Sequence, residues 1–261
     1  MTYSDILYSV EDGIARITIN RAAKHNAFRL ETVGELTDAF ERAEVDQTVG
    51  VAVLTGAGDK AFCSGGDVGM EEAFTPATGR ALVRADMKLA AAMRGLGKPI
   101  IARVNGWCIG SGNCLNLLCD LSIAAEDAKL GQIGPQVGSV PTWISTQVLP
   151  YLVGPRKARE IIFMCRQYTA MEAEQMGWIN KAVPRERLDD EVNAWCQRIL
   201  DLSPQSLRIA KMNLNYFEDL AYPALIHGME MLALTYGSAE AREGMQAFLE
   251  KRKANYRQFR K

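Results

Sequence analysis

Apolar positions recur along this chain with two different periods. Residues 14–19 (Ile-Ala-Arg-Ile-Thr-Ile) alternate apolar side chains with others, as a half-buried strand does. Residues 30–45 place Leu30, Val33, Leu36, Phe40 and Ala43 on one stripe at helical spacing, with Thr32 near its start. Residues 51–55 form a short apolar run that ends in Gly56-Ala57-Gly58-Asp59, which predicts a buried strand entering a turn. A helix is predicted over 87–96, a strand over 99–104, an apolar stretch over 115–118 behind Gly110-Ser111-Gly112, and a strand over 120–124. Between the helical patterns, Phe74-Thr75-Pro76-Ala77-Thr78-Gly79 reads as a mobile loop. From Arg156 the period is helical almost throughout, over 156–165, 170–176, 188–202, 204–217, 223–236 and 240–253. Strand–helix repeats followed by helices alone predict an α/β core with a helical appendage beginning near Leu200.

Composition narrows the function without naming it. With 48% hydrophobic and 23% charged residues, the chain has the profile of an ordinary globular protein. A formal net charge of −1 gives no overall attraction to nucleic acid or to an anionic membrane, so neither is expected as a partner. No apolar run is long enough to span a bilayer. Met1-Thr2-Tyr3-Ser4-Asp5 lacks the basic and apolar parts of a leader, so a cytoplasmic protein is expected. The six cysteines form no CxxC pair and no His-Cys cluster; reduced thiols and no metal site are expected. Only His25 and His227 are present, which excludes catalysis resting on several histidines.

Three segments carry the candidate chemistry. Lys60-Ala61-Phe62-Cys63-Ser64-Gly65-Gly66-Asp67 follows a strand and precedes a helical stretch. Its glycines allow a ligand close to the backbone, and N–H groups at a helix start point outward unpaired. Asn105-Gly106-Trp107-Cys108-Ile109-Gly110-Ser111-Gly112-Asn113 repeats the arrangement. The first alone reads equally as a tight structural turn and the second, a lone GxG, more often as one, but two in one α/β domain could supply the pair of converging N–H donors that an oxyanion hole requires. Gly131-Gln132-Ile133-Gly134-Pro135-Gln136-Val137-Gly138-Ser139-Val140-Pro141 is a shaped loop in which Ser139 is a possible donor.

In this order and spacing, the three segments resemble the enoyl-CoA hydratase/isomerase (crotonase) superfamily. Asn20-Arg21, Asn26-Ala27, Cys119-Asp120, Ala173-Glu174 and Met176-Gly177 extend the resemblance over nearly the whole chain. It implies an α/β spiral of ββα turns over 1–199 that holds an acyl-CoA site. It further implies a C-terminal helical oligomerisation domain over 200–261, assembled as a homotrimer or a hexamer made of two trimers. The backbone N–H groups of Gly66 and Ser111 would hold the thioester oxygen. Lys24, His25, Ala27 and Ser64 would line the coenzyme A site, with Lys251 reaching phosphates of a neighbouring subunit. No cofactor is expected beyond the coenzyme A moiety of the substrate.

The departures decide which chemistry to expect. The two glutamates typical of hydratases in this superfamily are replaced by Cys114 and Gly134, neither of which can act as a carboxylate. Gly131-Gln132-x-Gly134-Pro135-x-Val137-Gly138-Ser139 resembles instead the branch of dihydroxynaphthoyl-CoA synthase and ketocyclohexanecarboxyl-CoA hydrolase. That resemblance implies active-site roles for Ser139 and Tyr236 around Gly134. It also implies carbon–carbon bond cleavage or formation beside the thioester, ring-opening hydrolysis foremost. Pro141 stands where that branch has an aspartate, and Ile162 where it has a tryptophan. A hydratase or isomerase with a relocated acid drawn from Glu71 or Glu72 is the alternative, against the plain reading of that pair as a solvated helix face. A silent acyl-CoA-binding homologue is the third reading.

Overall fold

The computed structural model describes residues 3–260; Met1 and Thr2, the first residues of the leader reading, lie outside them. The strands are β1 Ile6–Glu11, β2 Ile14–Ile19, β3 Val51–Gly56, β4 Ala61–Cys63, β5 Ile100–Val104, β6 Trp107–Ile109, β7 Leu121–Ala125, β8 Lys129–Gly131, β9 Gln167–Thr169 and β10 Lys181–Val183. The helices of the core are α1 Leu30–Val45, α2 Val68–Glu71, α3 Pro76–Gly95, α4 Ser111–Leu118, α5 Ser145–Val153, α6 Pro155–Met164, α7 Ala170–Gln175 and α8 Leu188–Leu200. After them come α9 Pro204–Leu214, α10 Tyr216–Leu220, α11 Tyr222–Thr235 and α12 Ala239–Leu249.

The strands form two sheets, β1-β2-β3-β5-β7-β10 and β4-β6-β8-β9. β3, β5 and β7 of the first sheet each feed a short strand of the second, and a helix then returns the chain: β3 to β4 to α2 and α3, β5 to β6 to α4. The result is the spiral of ββα turns, closed by helices at the C-terminal end. Strands β2, β3, β5, β7 and β10 run parallel, while β1 joins β2 as an antiparallel hairpin. The inner strands of a parallel sheet are covered on both faces and so read as continuous apolar runs rather than alternating ones. In β3, Ala52 and Leu54 belong to the main core, whereas Val51 and Val53 pack on the other face against Leu188, Val192, Cys196 and Ile199 of α8.

One expectation fails. Residues 76–79 are the first turn of α3, not a mobile loop. The Thr75 hydroxyl accepts from the Thr78 N–H at 3.3 Å, the Thr78 hydroxyl accepts from the Thr75 N–H at 2.9 Å, and Pro76 occupies the first helical position. Threonine and proline here start a helix rather than break one. The helix therefore begins eleven residues earlier than the apolar period alone predicts, a change that carries Asp86 into its buried face.

A buried cation joins α9 to the core. Lys211 Nζ donates to Asp120 Oδ2 at 2.7 Å and to the carbonyls of Met93 and Lys98, and the same Asp120 oxygen accepts from the Ile100 N–H at 2.7 Å. Removing one partner of a buried pair leaves the other uncompensated. With Asp120 about a quarter exposed, Lys211→Met is expected to cost roughly 2–3 kcal/mol of stability. Urea denaturation checks this, and an unchanged midpoint would exclude the bridge as the tie between α9 and the sheet.

Candidate active site

The site begins with two backbone turns. Phe28 and Gly66 form a parallel bridge: the Phe28 N–H donates to the Gly65 carbonyl at 2.9 Å and the Asp67 N–H donates to the Phe28 carbonyl at 2.9 Å. The groups flanking Gly66 are thus paired to Phe28, and the N–H of Gly66 itself points away. Ser111 opens α4, so its N–H has no carbonyl one turn earlier in the helix to accept it. Among the described residues neither N–H donates within the chain. The two turns touch: a Cβ placed on Gly65, whose φ is +101°, would sit 3.2 Å from the Ser111 nitrogen. Ser111 is helical and has negative φ, so it bears its Cβ without strain.

Asn26 sets the entry side. Its side chain donates to the carbonyls of Ala57 and Ala61 at 3.0 and 2.8 Å and accepts from the Arg21 N–H at 3.1 Å. Arg21 pairs with Asp67 at 3.0 Å and donates to the Ala27 carbonyl. The turn 24–28 is thereby locked beside 64–67. Lys24, His25, Ala27 and Ser64 line one cavity of about 440 Å³, walled also by Trp107 and Phe248; His25 stacks on Trp107 with ring centroids 5.0 Å apart. That volume lies in the range of small-molecule sites. Lys251 is exposed beyond the end of α12, two residues past Leu249 of the cavity wall.

A second, inner cavity of about 80 Å³ shares Ser64, Gly66, Val68, Ile133 and Phe248 with the first. Gly66, Ser111, Gly134, Ser139 and Tyr236 all line it, so the structure brings the five sequence-selected residues together. Gly134 has little room for a side chain, because a Cβ there would lie 3.1 Å from the Ser139 carbonyl oxygen. Cys114 lines the cavity as a buried thiol, pushed up to about 12 by burial. Ile162 is core and lies outside the lining, so it leaves no mark on the pocket. Gln132 is buried; with its amide turned to satisfy its neighbours, it donates to the Gly110 carbonyl at 2.8 Å and accepts from the Ser145 hydroxyl at 2.7 Å, steadying the turn before Ser111.

The structure supplies two carboxyls where Cys114 and Gly134 have none. The pair Glu71-Glu72 is split: Glu72 is half-buried and accepts from the Gln246 amide at 3.4 Å, and Glu71 turns inward. Glu71 Oε2 accepts from the Tyr236 hydroxyl at 3.3 Å, and Oε1 lies against Gly66, 1.8 Å from where a Cβ on that residue would stand. Burial raises the Glu71 carboxyl to about 7, with the Tyr236 hydrogen bond acting in the opposite direction. Asp86, on α3, lines the same cavity and is pushed well above the usual carboxylate range by burial and by Glu71. Tyr236 is itself raised by burial and by Glu71, so it remains a hydroxyl donor. Glu71 was one of two sequence candidates. Asp86 was not among them, although Leu82, Asp86, Leu89, Ala90 and Met93 share one face at helical spacing. A carboxylate inside an apolar stripe was the available signal.

The family can be stated from comparison with known proteins. The model of the enoyl-CoA hydratase/isomerase family matches residues 9–260, and the chain belongs to that family. An enoyl-CoA hydratase/isomerase from Xanthobacter autotrophicus is 31% identical, with 96% of this chain and 97% of that one covered and a TM-score of 0.86. An enoyl-CoA hydratase from Bacillus anthracis is 30% identical over 97% and 99% of the two chains, with a TM-score of 0.80. An enoyl-CoA hydratase from Mycobacterium avium subsp. paratuberculosis shares the fold at a TM-score of 0.89 and 24% identity, over 97% and 99% of the chains. Family and fold together support an acyl-CoA-transforming enzyme. Among the described residues no helix is long and apolar enough to cross a membrane.

The raised Glu71 carboxyl has a stability signature. The folded chain holds a proton on Glu71 up to about pH 7, whereas the unfolded chain releases it near the ordinary value of 4.5. Between those values the folded state binds more protons, so the Glu71 contribution to stability falls as pH rises through that window and levels off above it. Glu71→Gln should flatten this part of the melting-temperature profile between pH 4.5 and 7. An identical slope in the variant would show that Glu71 titrates normally.

Proposed function

We propose that this protein shuttles a proton along a short enoyl-CoA thioester, shifting its double bond, with Glu71 as the acid–base group. The observation that carries this reading is the Glu71 carboxyl, raised to about 7 and set against Gly66, where the thioester oxygen would be held. A group titrating near the working pH both accepts and returns a proton. With the acyl carbonyl on the N–H groups of Gly66 and Ser111, Glu71 takes a proton from the carbon next to the carbonyl. The electron pair moves onto the thioester oxygen, where two N–H donors stabilise the dienolate without reorganising. The same carboxyl returns the proton at the far end of the conjugated system. Tyr236 holds Oε2, which leaves Oε1 toward the substrate.

Size supports a short acyl group. The inner cavity of about 80 Å³ is roughly half the ~150 Å³ apolar cavity that takes up benzene. Hydration would call for a second carboxylate to direct the water, and burial pushes Asp86 well above the usual carboxylate range, disfavouring its charged form. Ring-opening carbon–carbon cleavage is the second reading, favoured by Ser139 and Tyr236 lining the inner cavity around Gly134. Lys24, His25, Ala27 and Ser64 would hold the coenzyme, with Lys251 extended to a neighbouring subunit. Exposed Met212, Leu214, Leu220 and Tyr222 on the helices after residue 200 support a C-terminal oligomerisation surface, used in a trimer or a pair of trimers.

A product-resolved mass-spectrometric screen tests the proposal. A β,γ-enoyl thioester should be converted to its α,β isomer without change of mass, and Glu71→Gln should lower that rate by about 100-fold or more. Ring-opened product from a cyclic β-keto thioester, with no isomerisation, would establish the second reading. Binding without turnover across the panel would make the protein an acyl-CoA carrier. Tyr236→Phe removes a hydrogen bond that lowers the Glu71 carboxyl, so the acidic limb of kcat/KM near pH 7 should move upward. An unmoved limb would separate Tyr236 from Glu71.

A further inference from the structure

The loop over residues 134–140 is a single layer of chain between two cavities. Gly134 and Val137 line the inner cavity, Pro135 and Gly138 line a separate cavity of about 330 Å³ behind the loop, and Ser139 and Val140 border both. Tyr256, near the C-terminus, belongs to the wall of the second cavity and not of the first. Its hydroxyl donates to the Gln136 carbonyl at 3.2 Å, across 120 positions of the chain. The loop that carries Gly134 and Ser139 is therefore held from behind by the C-terminal segment.

Several contacts bring Tyr256 to that place. Lys251, at φ +55°, turns the chain back after α12. Arg252 then donates to both oxygens of Glu243, at 2.7 and 3.1 Å, and the Asn255 N–H donates to the same carboxylate at 2.7 Å. A two-pronged arginine–carboxylate pair fixes direction as well as distance. Tyr256 thereby lies against α12 at Gly244, where a Cβ would stand 2.0 Å from the tyrosine oxygen and 2.5 Å from the Gly138 nitrogen. Helix, tail and loop meet at one point, and only a residue without a side chain lets them meet. Tyr256 is half-buried; burial first, then Glu243 and Glu240, push its hydroxyl up to about 12, so it stays a donor.

We infer that Tyr256 is a positioning residue for the acyl pocket: through the Gln136 carbonyl it sets where Val137 and Ser139 stand in the wall of the inner cavity. This rests on the reading of the inner cavity as the acyl site, and it holds whichever reaction Glu71 performs. A pocket wall recognises its ligand only while the residues behind it keep it in place. The coenzyme cavity is walled by neither Tyr256 nor any residue from 134 to 140. A displaced loop thus changes the affinity that the acyl group adds to coenzyme A and leaves the affinity for coenzyme A itself.

The test is calorimetric titration of the full chain with coenzyme A and with butyryl-CoA, a saturated thioester that cannot undergo the double-bond shift. The unaltered protein should bind butyryl-CoA the more tightly. Tyr256→Phe, which keeps the ring and removes only the hydroxyl, should cut that ratio about three-fold or more at unchanged affinity for coenzyme A. Gly244→Ala, whose Cβ would press on both the tyrosine and the loop, should cut it as well, although alanine favours a helix. Tyr256→Phe stands as the test should the Gly244 variant not fold. An unchanged ratio in Tyr256→Phe, with or without a lowered urea midpoint, would make the contact merely structural and overturn the inference. An equal loss of affinity for both ligands would overturn it also. Equal binding of the two ligands by the unaltered protein would overturn it and leave the coenzyme site intact. No binding of either would instead remove the acyl-CoA reading on which it stands.

Discussion

The two hydrogen bonds between Phe28 and the pair Gly65 and Asp67 constrain the rest of the site. They fasten the turn after β2 to the turn after β4 and leave the Gly66 N–H with no partner among the described residues. The cavity that holds Lys24, His25 and Ala27 therefore opens onto the nitrogen that would hold an acyl oxygen. The partner turn at Ser111 follows from the parallel pairing of β4 with β6, which brings the two strand ends, and the turns that follow them, to the same place. A parallel sheet built by successive ββα turns puts equivalent strand ends side by side, so a donor on one turn finds its counterpart on the next.

Burial then does chemistry that neither turn could do alone. A glutamate at the end of a short helix is ordinarily solvated. Here Gly66 has no side chain, Tyr236 comes down from the end of α11, and Phe74 packs edge-on against that tyrosine at 5.4 Å between ring centroids. Glu71 is left buried in the space between them, which raises it to about 7. Burial, and Glu71 beside it, push Asp86 well above the usual carboxylate range too. One pocket thus holds two carboxyls, both raised by burial. The cavity lined by Cys114 and Gly134 thus still contains carboxyls, from α2 and α3.

Much of the fold was legible beforehand. The alternation over 14–19, the apolar run over 51–55 and the helical stripe over 30–45 appear as β2, β3 and α1 with nearly those boundaries. These signals depend on local period and on which face is buried, and both are written in consecutive residues. The start of α3 was not legible, because Thr75 and Pro76 signal a helix start as readily as a break, and the apolar period becomes clear only near Leu82. The turns at Gly66 and Ser111 were visible through their glycines, since the demand for a close backbone approach falls on residue type.

The sequence by itself determined the family, the strand–turn–helix order and the candidates Gly66, Ser111, Gly134, Ser139 and Tyr236, because each rests on a local pattern. Only the tertiary structure decided that Glu71 faces inward while Glu72 faces out, that Tyr236 meets Glu71 across 165 positions of the chain, and that Asp86 and Trp143 border the same cavity. The physical reason is that charge state depends on what surrounds a group in space. A carboxyl has the same identity in a list of residues whether water or a tyrosine ring lies beside it, and its proton affinity is set by that neighbour.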